Sequence, residues 1–141
     1  MSFVLDNSIA LAWCFKDERT PLSIALLDRV TQEEAVVPQL WPLEALNVLL
    51  VAERRGRIDR DLRLRLIDFL TALPITIDAE TAERTWGPTA RLAEAHRLTA
   101  YDAAYLELAQ RLRLPLATQD ADLIAAARAT GVALVGAARE A

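Results

Sequence analysis

Leu98-Thr99-Ala100-Tyr101-Asp102-Ala103-Ala104-Tyr105-Leu106-Glu107-Leu108-Ala109-Gln110-Arg111-Leu112-Arg113-Leu114-Pro115-Leu116-Ala117-Thr118-Gln119-Asp120 is the stretch from which the fold can be read. Tyr101, Ala104, Tyr105, Leu108, Ala109 and Leu112 recur at i, i+3, i+4, i+7, i+8 and i+11, the single apolar stripe of a helix over residues 101–113. Asp102 sits one residue round from that stripe, at the edge where core meets solvent. A short β-like run over residues 116–118 follows, and Asp120 then stands at the start of another helix.

Working outward, similar apolar runs occur at Phe3–Leu5, Ala35–Val37, Ile75–Ile77 and residues 132–135. The segments between them have helical spacing. Pro42 suits the first position of a helix running to about Arg54 and stopped by Gly56. A second helix is predicted from about Arg60 to Ala72, ended before Pro74. Further helical segments run from about Ala79 into the nineties, interrupted near Gly87-Pro88, and over Ala121–Thr130 up to Gly131. Strands alternating with helices argue an α/β fold, a parallel sheet covered by helices on both faces. Ligands bind such sheets outside the carboxyl ends of the strands, where the strand order reverses.

The 141 residues fit one domain over 1–141, and no repeat or Gly/Ser-rich linker divides them. No apolar run reaches the ~18–20 residues that span a bilayer. The segment Met1-Ser2-Phe3-Val4-Leu5-Asp6 lacks a basic leader, so a cytoplasmic protein without membrane attachment is expected. Cys14 is the only cysteine, which excludes an internal disulfide and a thiolate zinc cluster; it reads as a small buried hydrophobe. The net charge of −4 does not mark a nucleic-acid binder in bulk, although all but one of the 16 basic residues are Arg, a side chain suited to phosphate. Arg54, Arg55 and Arg57 cluster around Gly56, either as helix-end dipole partners and solvated charge or as contacts to RNA or to an acidic partner.

Asp6, Glu44, Asp102 and Asp120 each stand where an apolar run gives way to a helix start. Any one of them could simply cap a helix or favour its dipole. Gathered at one sheet edge, all four would need a cation to coexist, and a hard divalent ion with oxygen ligands is the natural one. The residues that are missing narrow the chemistry. His96 is the only histidine, which excludes a two-histidine acid–base nuclease and an imidazole-rich zinc site. Neither a Gly-x-x-x-x-Gly-Lys phosphate loop nor a Gly-x-Ser-x-Gly elbow occurs. What remains suits Mg²⁺ or Mn²⁺, which can activate a water and stabilise a leaving oxygen in phosphodiester hydrolysis. Asp122 reads either as an outer acid of this group or as a first-turn dipole residue.

Val4-Leu5-Asp6-Asn7-Ser8, Leu43-Glu44-Ala45-Leu46-Asn47-Val48-Leu49, Leu98-Thr99-Ala100-Tyr101-Asp102-Ala103-Ala104-Tyr105 and Leu116-Ala117-Thr118-Gln119-Asp120 resemble the four signature blocks of PIN-domain ribonucleases. Within that family the chain resembles the VapC-type toxins of type II toxin–antitoxin systems, over essentially its whole length. The resemblance implies a three-layer α/β/α fold with a five-stranded parallel sheet of order 3-2-1-4-5. It implies a Mg²⁺- or Mn²⁺-dependent endoribonuclease with RNA as substrate, a cognate VapB-type antitoxin as partner, and a homodimer. Asp6, Glu44, Asp102 and Asp120 match its acidic cluster. Ser8 and Thr118 match its nearby hydroxyls, with helix capping or strand-end bonding as an equal alternative, and Asn47 matches a position one turn beyond Glu44, with an exposed or locally bonded amide as its equal alternative.

Three other functions compete. A haloacid-dehalogenase-like phosphatase would use Asp6 as nucleophile, but it wants an acid where Ser8 stands. A receiver-like module would be phosphorylated at Asp78, but it wants paired acids after the first strand and a late lysine, and Lys16 is the sole lysine. An RNA-binding module without nuclease activity is the third. Trp13, Trp41, Trp86, Tyr101 and Tyr105 read as core or interface residues rather than base-stacking platforms.

Overall fold

The computed structural model describes residues 2–136; Met1 and residues 137–141, which belong to the expected 1–141 domain, lie outside them. The chain runs β1 (Phe3–Leu5), α1 (Asn7–Cys14), a 3₁₀ turn (Lys16–Glu18), α2 (Pro21–Val30), β2 (Ala35–Val37), α3 (Trp41–Arg54) and α4 (Arg60–Ala72). It continues through β3 (Ile75–Ile77), α5 (Thr81–Arg84), a π-helical turn (Thr85–Thr89), α6 (Ala90–His96), α7 (Ala100–Leu112), β4 (Leu116–Ala117) and α8 (Ala121–Thr130).

Strand order is β3-β2-β1-β4, all parallel. Val4 lies opposite both Val36 and Leu116, so β1 is central. Its three residues Phe3, Val4 and Leu5 are fully buried, as a strand covered on both faces must be. Because every strand points the same way, Asp6, Asp78 and Thr118 emerge at one edge of the sheet.

The expected fifth strand over 132–135 is reduced to one bridge, Leu116 with Leu134, secured by Leu116 N–H to the Ala133 carbonyl (2.8 Å) and Val135 N–H to the Leu116 carbonyl (2.9 Å). This segment sits outboard of β4, the place that the order 3-2-1-4-5 assigns to it. Gly131 (φ +78) and Gly136 (φ +90) bracket it in left-handed backbone, which bends the chain off strand geometry at both ends. The strand expected at 116–118 also stops early, at Ala117. The Thr118 side chain is committed instead to Asp6.

The core lies on both sides of β1 and is closed by α1, α3 and the apolar face of α7, where residues 103–109 are buried without a break. Trp13, Trp41 and Tyr105 are part of it, whereas Trp86 (90% exposed) and Tyr101 (61% exposed) project from the surface. Cys14 is buried, and burial pushes its thiol up to about 11, as a small unreactive hydrophobe requires.

A partly buried ion network ties α7 to the end of β3. Arg111 makes a two-pronged pair with Asp78 (3.1 and 2.7 Å) and another with Glu107 (2.9 and 3.1 Å), and reaches Glu80 at 3.4 Å. Burial would raise the Asp78 carboxyl, but the hydrogen bonds and charge of Arg111 bring it below its ordinary value. Asp78 is therefore a structural partner of Arg111, which removes the ground for reading it as a receiver-type phosphorylation site.

Candidate active site

Asp6 closes β1 and opens α1. Its side chain accepts the Ser8 backbone N–H (3.4 Å), and the same oxygen, Oδ2, accepts the hydroxyls of Ser8 (2.7 Å) and Thr118 (2.8 Å). Each hydroxyl has a second task. Ser8 Oγ accepts the Gln119 N–H at 3.0 Å, and Thr118 Oγ1 accepts the Asp120 N–H at 3.0 Å. The α1 entry and the loop after β4 are thus stitched together through Asp6, and each hydroxyl serves as both donor and acceptor. At 4% exposure, burial raises the Asp6 carboxyl above its ordinary value, with the Ser8 and Thr118 hydrogen bonds pulling the other way.

Asp120 caps α8, its Oδ2 accepting the Leu123 N–H at 2.9 Å. Asp102 caps nothing. Thr99 Oγ1 accepts the Asp102 N–H at 3.1 Å and does the capping of α7, while the Asp102 carboxylate makes no hydrogen bond or ion pair among the described residues. A reciprocal capping box does form at Thr20 and Ser23, so its missing half at Asp102 leaves that carboxylate free to act elsewhere. Its carboxyl is pushed up to about 6, first by burial and then by the charges of Asp120, Asp6 and Asp122. Glu44, in the first turn of α3, accepts the Tyr105 phenol on Oε1 at 2.6 Å. Burial raises it most, the phenol lowers it, and Asp6 and Asp102 raise it again.

Four separate segments are thus linked by charge: Asp6 and Asp102 act on Glu44, and Asp120, Asp6 and Asp122, the last on the exposed first turn of α8, act on Asp102. Among the described residues none of these five is ion-paired to Arg, Lys or His, so the negative field is uncompensated by protein cations. No three of the described acids are disposed as a ready-made cage for a metal ion.

Asn47 is exposed one turn beyond Glu44 and makes no hydrogen bond among the described residues. Arg57 is committed away from the acids, to Asp17 (2.5 Å) and Glu18 (2.7 Å), with its guanidinium 4.1 Å from the centre of the Phe15 ring. Arg54 and Arg55 remain exposed.

Two residues gain importance only in three dimensions. Tyr105 belongs to the apolar stripe of α7, but its phenol orients Glu44; the available signal was a tyrosine where a phenylalanine would fill the core as well. Asn7, next to Asp6, is buried with its Oδ1 unpartnered, an oxygen acceptor left over at the head of α1. No pattern in the sequence distinguishes it from an ordinary helix-start amide.

Acids at the carboxyl edge of a parallel sheet whose order reverses beside β1 define an α/β domain with an all-oxygen, anionic site. The chain belongs to the PIN-domain family, whose model matches residues 3–129. No curated protein matches it. Among solved structures it resembles a protein from Pyrobaculum aerophilum, with 27% identity over 89% of this chain and 79% of that one and a TM-score of 0.65. It also resembles the VapBC2 structure from Rickettsia felis bound to a DNA fragment from its promoter (13% identity, 95% of this chain and 97% of that one, TM-score 0.65). FitAcB from Neisseria gonorrhoeae is similar too (18% identity, 95% and 96% covered, TM-score 0.61). At such identities the last two likenesses speak for the fold alone.

Proposed function

We propose that the protein is a single-domain, metal-dependent endoribonuclease that acts as the toxin of a toxin–antitoxin pair. PIN domains are nucleases, and this chain keeps an acid at each of the four block positions. The observation that carries the reading is the uncompensated field of Asp6, Glu44, Asp102 and Asp120, in which Asp102 is pushed up to about 6 partly by its acidic neighbours. Four carboxylates without a protein cation are an oxygen donor set that fits Mg²⁺ or Mn²⁺. Asn7 Oδ1, unpartnered at the head of α1 and next to Asp6 in the chain, is a further oxygen of that chemical kind.

Asp6 and Asp102 would hold the ion, with Glu44 and Asp120 binding directly or through water. Bound there, the ion would neutralise phosphodiester charge and activate the attacking water. The protein's own part is preorganisation. Ser8 and Thr118 fix one oxygen of Asp6. Tyr105 fixes Glu44. An acidic side chain of the cluster would assist deprotonation of that water.

The toxin reading is supported by the resemblance of the four acidic blocks to VapC-type toxins and by the shared fold of the VapBC2 structure. An apolar groove of about 280 Å³ between α3 and α4, lined by Trp41, Leu46, Leu49, Ile67 and Leu70, supports a VapB-type antitoxin as partner. Exposed Leu43 and Trp86 supply apolar surface for a homodimer. Among the described residues no helix is long and apolar enough to cross a membrane.

Replacing Asp6 or Asp102 by Asn should abolish Mg²⁺-dependent cleavage of RNA while the circular dichroism spectrum stays unchanged. Full activity in both variants would refute the assignment. Sequencing of RNA ends in cells expressing the chain or its Asp6→Asn form would then identify the target.

A further inference from the structure

The turn between α6 and α7 forms one wall of an open cleft of about 410 Å³, and α8 forms the other. His96 and Arg97 line the first wall; Asp122, Ala125, Ala126 and Ala129 line the second. Asp122 stands in the first turn of α8, two residues after its cap Asp120, and Arg97 stands five residues before Asp102. The cleft therefore opens beside that site, and only Leu98 and Thr99 separate Arg97 from the start of α7.

Arg97 differs from the arginines that the fold holds in ion pairs, and its place in this cleft sets it apart from the other exposed ones. Arg29, Arg57, Arg63, Arg84 and Arg111 are all held by carboxylates. Arg97 is exposed, and among the described residues its guanidinium makes no ion pair or hydrogen bond although acids lie near. An RNA strand entering a chain of net charge −4 meets repulsion at the acid cluster and needs a cation close by. Asp122 repels phosphate at one wall of the cleft, Arg97 attracts it at the other, and the alanines keep the space between them clear. A guanidinium also matches two phosphate oxygens at once.

We propose that Arg97 is a phosphate subsite of the acid site, holding a phosphodiester of single-stranded RNA next to the one that is cut. The identity of the ligand rests on the nuclease reading above; the position of the subsite rests on the cleft.

The backbone supplies a clean test. Arg97 ends α6 in left-handed conformation (φ +53), where glycine is less strained, so Arg97→Gly removes the guanidinium without breaking the turn. Arg113 ends α7 in the same conformation (φ +56) and lines a different groove, with Leu114, Pro115 and Thr130. Arg113→Gly is thus a control matched in charge and backbone. Binding of a short fluorescent single-stranded RNA is measured against KCl concentration in the cleavage-deficient Asp6→Asn background.

Arg97→Gly should weaken binding about tenfold and reduce the slope of log affinity on log salt by about 0.7, one phosphate contact. Arg113→Gly should change neither. In the active chain with Mg²⁺, Arg97→Gly should raise KM more than it lowers kcat. Equal effects of the two substitutions, no effect of either, or no measurable RNA binding by the Asp6→Asn chain would overturn the subsite. If Arg97→Gly alone lowers the salt slope but the native chain cuts no RNA, the subsite stands and the nuclease reading falls. Normal cleavage that ignores Arg97→Gly keeps the nuclease reading and removes the subsite.

Discussion

Thr118 donates its hydroxyl to Asp6 Oδ2 at 2.8 Å, closing a contact between residues 112 positions apart. The Thr118 hydroxyl oxygen in turn accepts the Asp120 N–H at 3.0 Å, so one side chain positions two of the acids. It can do this because β1 and β4 are adjacent parallel strands whose carboxyl ends are level, with Leu5 opposite Ala117.

Thr118→Val keeps the shape and removes both bonds. It leaves the Asp6 carboxylate short of a buried donor and the Asp120 N–H short of an acceptor, which should cost about 1–2 kcal/mol of stability. Cleavage should fall with it, whereas Thr118→Ser should retain most of both. Urea unfolding and a single-turnover RNA assay on the two variants check this.

Proton linkage gives a second expectation. Asp102 is raised from 3.8 to about 6 by burial and by Asp120, Asp6 and Asp122, and burial moves Asp6 and Glu44 in the same direction. A carboxyl with a raised folded-state pKa holds its proton more tightly when folded, so stability falls as pH rises through that window. Without divalent ions the melting temperature should be higher near about pH 5.5 than near about pH 7.5. Asp102→Asn should flatten this difference. Added Mg²⁺ should raise the melting temperature at the higher pH and much less at the lower, where protons compete for the acids; thermal melts by circular dichroism read all three.

Tyr105→Phe removes the phenol that holds Glu44 down while leaving the burial that pushes it up. The Glu44 carboxyl should climb further, and the acidic limb of the pH–rate profile for kcat/KM should move to higher pH. Stability at neutral pH should drop by about 1 kcal/mol. An unchanged profile would mean that Glu44 takes no part in the rate-limiting protonation state.

Arg111→Met leaves Asp78 and Glu107 buried without their shared cation. Removing the shared partner of such a partly buried network should cost about 2–3 kcal/mol, more than removing an exposed pair. The matched exposed case is Arg84→Met, which should cost no more than about 1 kcal/mol. Comparing the two denaturation midpoints tests whether α7 is anchored to β3 through this network.

Much of this architecture was legible along the chain. The strands Phe3–Leu5, Ala35–Val37 and Ile75–Ile77 and the helices Arg60–Ala72 and Ala121–Thr130 lie where apolar periodicity and Gly or Pro stops put them. Residues 132–135 misled because their composition suits a strand, while Gly131 and Gly136 bend the chain at both ends and only Leu134 pairs. Trp86 and Tyr101 were ambiguous because an aromatic residue fits a core or an interface equally well; the fold leaves both exposed. Tyr105 was legible as core but not as the partner of Glu44, since the two are 61 positions apart.

By itself the sequence determined the alternation of strands and helices and the presence of an acid at each of four helix starts, because periodicity, turn residues and helix-end chemistry act over a few neighbouring residues. Only the tertiary structure decided which carboxylates face one another, that Ser8 and Thr118 spend their protons on Asp6, and that Arg97 stands free beside Asp122. Those relationships are set by parallel register and strand order, and register joins segments whose local sequences carry no information about each other.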